Sequence, residues 1–185
     1  MSLPINKKFS PMEAQPASEL PAGPQWHYEP KWDGFRWLAF RDGSKVELES
    51  KSQKPLTRYF PELVAELSSL APKKFVLDGE IVIPVEGKLS FENLLMRIHP
   101  AESRIRKLRQ ETPCVFIVFD LLVDEHGKSL IARPLRERRR KLESFAKRYF
   151  KKGGLIRLSP MTCDLSLARK LFHMGVGLDG IIAKH

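Results

Sequence analysis

Residues 29–37 read EPKWDGFRW, and several of these side chains could do chemistry together. A lysine amine attacks an electrophile only when neutral, and its free pKa is about 10.4. Burial or a neighbouring cation lowers that value. Lys31 lies between Pro30 and Trp32 with Arg36 close by, so the sequence predicts a sheltered, nucleophilic lysine. Asp33 could orient the amine, and Arg36 could grip phosphate. Gly34, lacking a side chain, would let a bulky ligand approach the backbone. A second pair, Asp78 and Glu80 in VLDGEIV, stands two residues apart in an extended run. That spacing turns both carboxylates to one face. Such a pair can hold Mg²⁺ or a ribose hydroxyl beside a triphosphate. Taken singly, each has an ordinary explanation: a surface lysine at a strand start, and an Asp-Gly hairpin turn.

These groups need a scaffold. Residues 35–41 and 45–50 read as strands around the turn Asp42-Gly43-Ser44. Val46 and Leu48 alternate there with Lys45, Glu47 and Glu49. Pro61 opens a helix with Leu63, Leu67 and Leu70 on one face. FVLDGEIVIP is a bent strand or a strand pair. Ser90 caps a short helix carrying Phe91, Leu94, Leu95 and Ile98. Residues 104–109 form a basic helix, and CVFIVFDLLV is a fully buried strand. A strongly basic helix follows over 134–149, with Leu135, Leu142, Phe145 and Tyr149 inward. Its run RERRRK reads as a solvated face, with contact to DNA phosphates as the alternative. LIRLSP is a strand, 166–174 a helix and DGIIAKH a further strand. Hairpins and long strands, with helices interspersed but no regular βαβ alternation, predict an α+β fold of mainly antiparallel sheets packed with helices. Proline-rich residues 1–25 read as an extended arm, and 26–185 as the domain beneath it.

The chain carries 32 Lys and Arg against 22 Asp and Glu, a formal charge of +10. A surplus of that size favours polyanionic partners. Two cysteines, Cys114 and Cys163, cannot build a disulfide framework; they read as packed thiols in a reducing cytoplasm. No apolar run approaches the roughly 20 residues that span a bilayer. No Cys or His spacing suggests zinc.

Five stretches, in order, resemble the motifs of the covalent nucleotidyltransferases: ATP-dependent DNA ligases, RNA ligases and mRNA capping enzymes. KWDGFR (31–36) resembles KxDGxR, whose lysine takes a nucleoside monophosphate from a triphosphate. SKSQKPLTRYFPEL (50–63) is similar to the ligase segment S-R-x-G-x-x-x-T-x-x-F-P-E-L. LDGEIV (77–82), FIVFDLL (116–122) and LDGIIAKH (178–185) resemble the third motif, its companion and the fourth. FENLLMRIHP (91–100) looks like a bacterial ligase segment. The resemblance covers about residues 11–185 and is closest to the small bacterial break-repair DNA ligases.

It implies an ATP-grasp-like adenylation domain in which Lys31 takes AMP from ATP with Mg²⁺ and hands it to the 5′-phosphate of nicked double-stranded DNA. By the same resemblance Glu29 reads the adenine amino group and Phe119 stacks on the base. Glu80 contacts ribose or metal with Asp78 in support, and Asp179 binds metal. Lys184 neutralises the α-phosphate, while Asp33, Arg36 and Lys51 complete the nucleotide-binding set. Lys51 stands where the family has Arg and so keeps the charge without the bidentate fork. Asp179 stands where Glu is more usual. Family members continue into a fifth motif and an oligonucleotide-binding domain. This sequence is therefore expected to be the adenylation domain cut after the fourth motif, monomeric or linked to further ligase domains. An RNA ligase or capping-type enzyme, or a weakly catalytic nucleic-acid-binding fragment, are the alternatives at this point.

Overall fold

The alternating run Lys45–Ser50 (β3) folds back on Phe35–Asp42 (β2), as its period of two requires. Asp42 faces Lys45 across Gly43-Ser44. Gly43 has φ +64°, a left-handed conformation that strains most residues with a side chain. The structure, a computed structural model, describes residues 2–50, 56–173 and 178–185.

Strand β4 (Lys74–Val82) pairs antiparallel with β2, setting Arg36 opposite Glu80 and Leu38 opposite Asp78. Strand β7 (Val115–Val123) pairs antiparallel with β4, and β8 (Ile156–Leu158) adds to β7 in parallel. The order is β3-β2-β4-β7-β8, so the sheet is mainly antiparallel with one parallel edge. A small hairpin, β5 (Pro84–Val85) and β6 (Lys88–Leu89), extends past β4, which is one strand rather than a pair.

Among the described residues five α-helices accompany the sheets: α1 (Pro61–Ser69), α2 (Phe91–Met96), α3 (Glu102–Glu111), α4 (Leu135–Tyr149) and α5 (Leu165–His173). The main core joins Trp37, Leu48, Phe75 and Phe116 of the sheet to Leu63 and Leu67 of α1 and to Leu142 and Phe145 of α4. The Phe75 and Phe145 rings meet edge to face at 5.5 Å. Each such side chain, fully buried, contributes about 1.5–3 kcal/mol. A second cluster, Leu38, Phe40, Val76, Leu122 and Val123, is covered by Leu3, Ile5 and Phe9 of the N-terminal segment. Apolar cover on both sides explains why β7 is a nearly continuous hydrophobic run.

A separate two-stranded sheet joins β1 (His27–Trp32) to β9 (Leu178–Lys184), with Lys31 opposite Gly180 and Glu29 opposite Ile182. The sequence suggests a first strand only from Phe35, whereas Lys31 is the fifth residue of the six-residue β1. Pro30 hides this strand: proline removes a ladder donor and is tolerated only at edges and bulges.

One further expectation holds and another changes in part. Ser90 Oγ does accept the Asn93 N–H and cap α2, but of its apolar residues only Leu94 is buried; Phe91, Leu95 and Ile98 are exposed. A helix of six residues has too few turns to turn a stripe inward. Cys114 is buried, as expected, and burial pushes its thiol well above the ordinary range, whereas Cys163 is exposed.

Candidate active site

The catalytic candidate is the half-exposed Lys31 near the end of β1, whose Nζ lies 2.5 Å from Asp179 Oδ2 on β9. The expected shelter is absent: the side chain is 47% exposed, because a two-stranded sheet covers little. Gly180, opposite Lys31, has φ +154°, and a Cβ there would sit 4.0 Å from Lys31 Cδ. Asp33 stands two residues beyond Lys31, its carboxyl raised by burial and by the charge of Asp179 and lowered by Lys31.

Gly34 has a different reason from the one expected. A Cβ at this position would stand 2.3 Å from the Ile81 carbonyl oxygen and 2.9 Å from Glu80 Cγ. The glycine is required by the close approach of β4, which presses the turn after Lys31 against Glu80. The motif thus joins the two sheets.

Arg36 grips a carboxylate. Its Nε and Nη2 donate to Asp78 Oδ1 and Oδ2 at 3.1 and 2.8 Å, a bidentate fork. Its Nη1 donates to the Met12 carbonyl at 2.7 Å. Asp78 is only 2% exposed. Burial raises its carboxyl, and Arg36 opposes the rise. Glu80 has no such fork. Burial pushes it up to about 8; the Arg36 and Lys31 charges oppose the rise, while Asp78 and Asp33 add to it.

Phe119, half-buried on β7, completes this side. The Arg36 guanidinium carbon lies 5.4 Å from its ring centroid and Lys184 Nζ lies 4.6 Å away. That ammonium also donates to Glu29 Oε2 at 3.1 Å. Lys184 therefore sits where an amino group would be held both against an aromatic face and by a carboxylate. Glu29 is buried, which raises its carboxyl; Lys184 and then Arg139 oppose the rise. Among the sequence candidates, Lys51 lies outside the described residues. Lys31, Asp33 and Asp179 form one group, Arg36, Asp78, Glu80 and Phe119 a second, and Glu29 with Lys184 a third that touches Phe119.

Two neighbours escaped the sequence reading. Arg138 and Arg139, within the run taken as a solvated face, turn inward. Arg138 Nε donates to both Asp120 oxygens, at 3.0 and 3.1 Å, directly beside Phe119. Arg139 is 6% exposed and faces Glu29. The signal was available: 135, 138, 142, 145 and 149 share one helical stripe, and 139 lies beside it. Arg136, Arg140 and Lys141 remain on the exposed side.

No set of three or more His, Cys, Asp or Glu residues among those described is arranged to hold a metal by itself. The mutually repelling carboxylates of Asp33, Glu80 and Asp179 around Lys31 nevertheless suit a hard cation that takes its remaining oxygens from phosphate. Also among the described residues, no helix is long and apolar enough to cross a membrane.

An α+β domain whose sheets meet beside a lysine, carboxylates and an aromatic ring has the build of a nucleotidyltransferase domain. Similarity to solved structures agrees. The ligase domain of M. tuberculosis LigD matches with a TM-score of 0.63 and 28% identity over 86% of this chain and 48% of that one. A mycobacterial DNA ligase D complexed with ATP and MES matches at 0.65 and 25% over 96% and 54%. The ATP dependent DNA ligase domain family matches residues 11–185, and the chain belongs to that family. DNA ligase C2 of Mycolicibacterium smegmatis and DNA ligase C of Mycobacterium tuberculosis are each 46% identical over the whole chain and 51% of their own length. The chain thus spans about half the length of the curated relatives it matches.

Proposed function

We propose that this chain is the adenylating part of a DNA ligase that seals nicked double-stranded DNA, and that Lys31 carries the AMP. The observation that carries the reading is the pairing of Lys31 with Asp179, with Glu80 within reach of the Lys31 charge, in a chain of this family. Lys31 Nζ bonds to the α-phosphorus of ATP, the bond to the bridging oxygen breaks, and pyrophosphate leaves with that electron pair. The amine proton passes to Asp179 or to the solvent that reaches this half-exposed side chain. Asp179 also aims the amine, since its partner oxygen fixes the Nζ position.

The base stacks on Phe119, and its exocyclic amine donates to Glu29 in the place Lys184 Nζ now holds. Lys184 is thereby released towards the α-phosphate. Arg36 stays with Asp78 and contributes its field to Glu80 rather than a direct phosphate fork. Mg²⁺, held by Glu80 and Asp179 with phosphate oxygens, would screen the triphosphate charge. Asp33 tunes both carboxylates, and Lys51 completes the phosphate contacts. In the whole protein AMP then passes to a 5′-phosphate, and a 3′-hydroxyl displaces it. Residues 1–25 act as an arm over the domain of 26–185, and the protein works as a cytoplasmic monomer or within a longer ligase.

Mass spectrometry after incubation with ATP and Mg²⁺ tests this. A single AMP adduct on Lys31, lost in Lys31→Ala, is the expected result. The variant is to be tried alone and joined to the remaining half of a DNA ligase C. An adduct surviving in Lys31→Ala moves the chemistry to another residue.

A further inference from the structure

We infer that Arg139 is a specificity-determining positioning residue: it holds Glu29 in the ionised, base-facing state once Lys184 has moved to the phosphates. The inference rests on the nucleotide site described above and adds to it a residue from a helix outside the sequence motifs.

Glu29 has two cations, one at each oxygen. Lys184 donates to Oε2 at 3.1 Å, and Arg139 Nη1 lies 3.7 Å from Oε1. That second gap is about 0.8 Å longer than an ordinary N–H···O bond. Neither Glu29 Oε1 nor Arg139 Nη1 has a hydrogen-bond partner. Both are buried, where an unpaired charged group is costly. The rest of the guanidinium is anchored. Nε donates to Glu143 Oε1 at 2.7 Å, and Nη2 donates to the Ser159 carbonyl at 2.8 Å. Ser159 Oγ in turn accepts Trp32 Nε1–H at 3.0 Å, one residue from Lys31. Arg139 is therefore fixed by α4 and by the chain after β8, with one donor left aimed at Glu29.

Lys184 cannot serve throughout. Its ammonium occupies the ring face of Phe119, so a stacked base displaces it, and the same displacement takes a positive charge from Glu29. A buried carboxylate losing its counter-ion takes up a proton or rotates away. A protonated Glu29 could donate to the 6-oxygen of hypoxanthine as readily as it accepts from the 6-amine of adenine. An ionised Glu29, held at Oε1 by Arg139, accepts from the amine and repels the oxygen. Arg139 thus converts a carboxylate of ambiguous protonation into a reader of the exocyclic amine.

The test is a double-mutant cycle on the full 185-residue chain, with ATP and ITP affinities measured by calorimetry and folding checked by thermal melting. Arg139→Gln should weaken ATP about tenfold and cut the ATP-over-ITP preference by a similar factor, the scale of one charge-assisted hydrogen bond. Arg139→Lys keeps a positive charge and should retain most of the preference, which covers the event that Arg139→Gln fails to fold. In a Glu29→Gln background, Arg139→Gln should alter the preference by less than about twofold, because the ionisable carboxylate it acts through is gone. Loss of both affinities by an equal factor in both backgrounds would mark Arg139 as merely structural. An unchanged preference in Arg139→Gln would overturn the inference while leaving the nucleotide site intact. No ATP binding by the unsubstituted chain would overturn the site itself and this inference with it.

Discussion

Arg97 and Arg139 are both buried arginines facing a glutamate, and their surroundings separate structural charge from functional charge. Arg97 is fully buried where α2 ends, and it donates to Glu62 Oε1 at 2.6 Å, to the Tyr59 carbonyl at 2.8 Å and to the Thr112 carbonyl at 3.1 Å. Its guanidinium carbon lies 5.1 Å from the Phe60 centroid, and Glu62 also accepts from the Cys114 thiol at 3.0 Å. Most of these partners are backbone or core, so nothing can be exchanged. Around Glu29 the partners are ionisable side chains, one of them, Lys184, only held on an aromatic face. A charge fixed by carbonyls ties elements together. A charge shared among displaceable ions can be handed to a ligand.

Four measurements would break or sharpen that contrast. Arg97→Met should cost the most stability, about 3–5 kcal/mol, since it leaves the largely buried Glu62 and the Tyr59 and Thr112 carbonyls without their cation. Urea denaturation would show it, with ATP affinity of the folded fraction unchanged; a large affinity loss would erase the distinction between the two clusters.

Glu80 gives the second. Its carboxyl is raised from 4.5 to about 8, so between those values the folded state binds more protons than the unfolded one. The stability it contributes is full below the lower value, falls as pH rises, and levels off above the upper one. The slope reaches at most about 1.4 kcal/mol per pH unit. Glu80→Gln should flatten the pH profile of unfolding free energy in that window; parallel profiles for the two proteins would contradict the shift.

Phe119→Ala should weaken ATP by about 1–3 kcal/mol in a titration. Unchanged affinity would return Phe119 to simple packing. The smallest effect belongs to Arg106–Glu102, an exposed pair at 3.6 Å on α3. Glu102→Ala should shift stability by less than about 0.5 kcal/mol, and a larger loss would show that α3 carries more than solvated charge.

The readable parts of the sequence were those whose local signals agree with the tertiary result. Val46 and Leu48 alternate because one face of β3 is buried, and Pro61 begins α1 because its missing N–H costs nothing there. Where a local rule was overruled by distant contacts, reading failed. Pro30 concealed β1, and the crowding at Gly34 comes from Ile81, which no short window contains. The charged run of α4 looked solvated because composition outweighed position; Arg138 and Arg139 face inward only because Asp120 and Glu29 await them. The partnership of Lys31 with Asp179 spans 148 residues, and only the family resemblance brought the two into one site.

That same span has a consequence for the order of events during folding. Strands β2, β3, β4 and β7 pair within a contiguous stretch of chain and can assemble while later residues are still being synthesised. The two-stranded sheet cannot, because β1 must wait for β9, and closing so long a loop adds an entropic cost that neighbouring hairpins avoid. Lys31 would therefore meet Asp179 only after the main sheet exists, so a half-made chain would lack that pairing. Pulse-labelled hydrogen exchange during refolding should show the amides of residues 27–32 protected later than those of β4. Simultaneous protection would mean that the two sheets form as one cooperative unit.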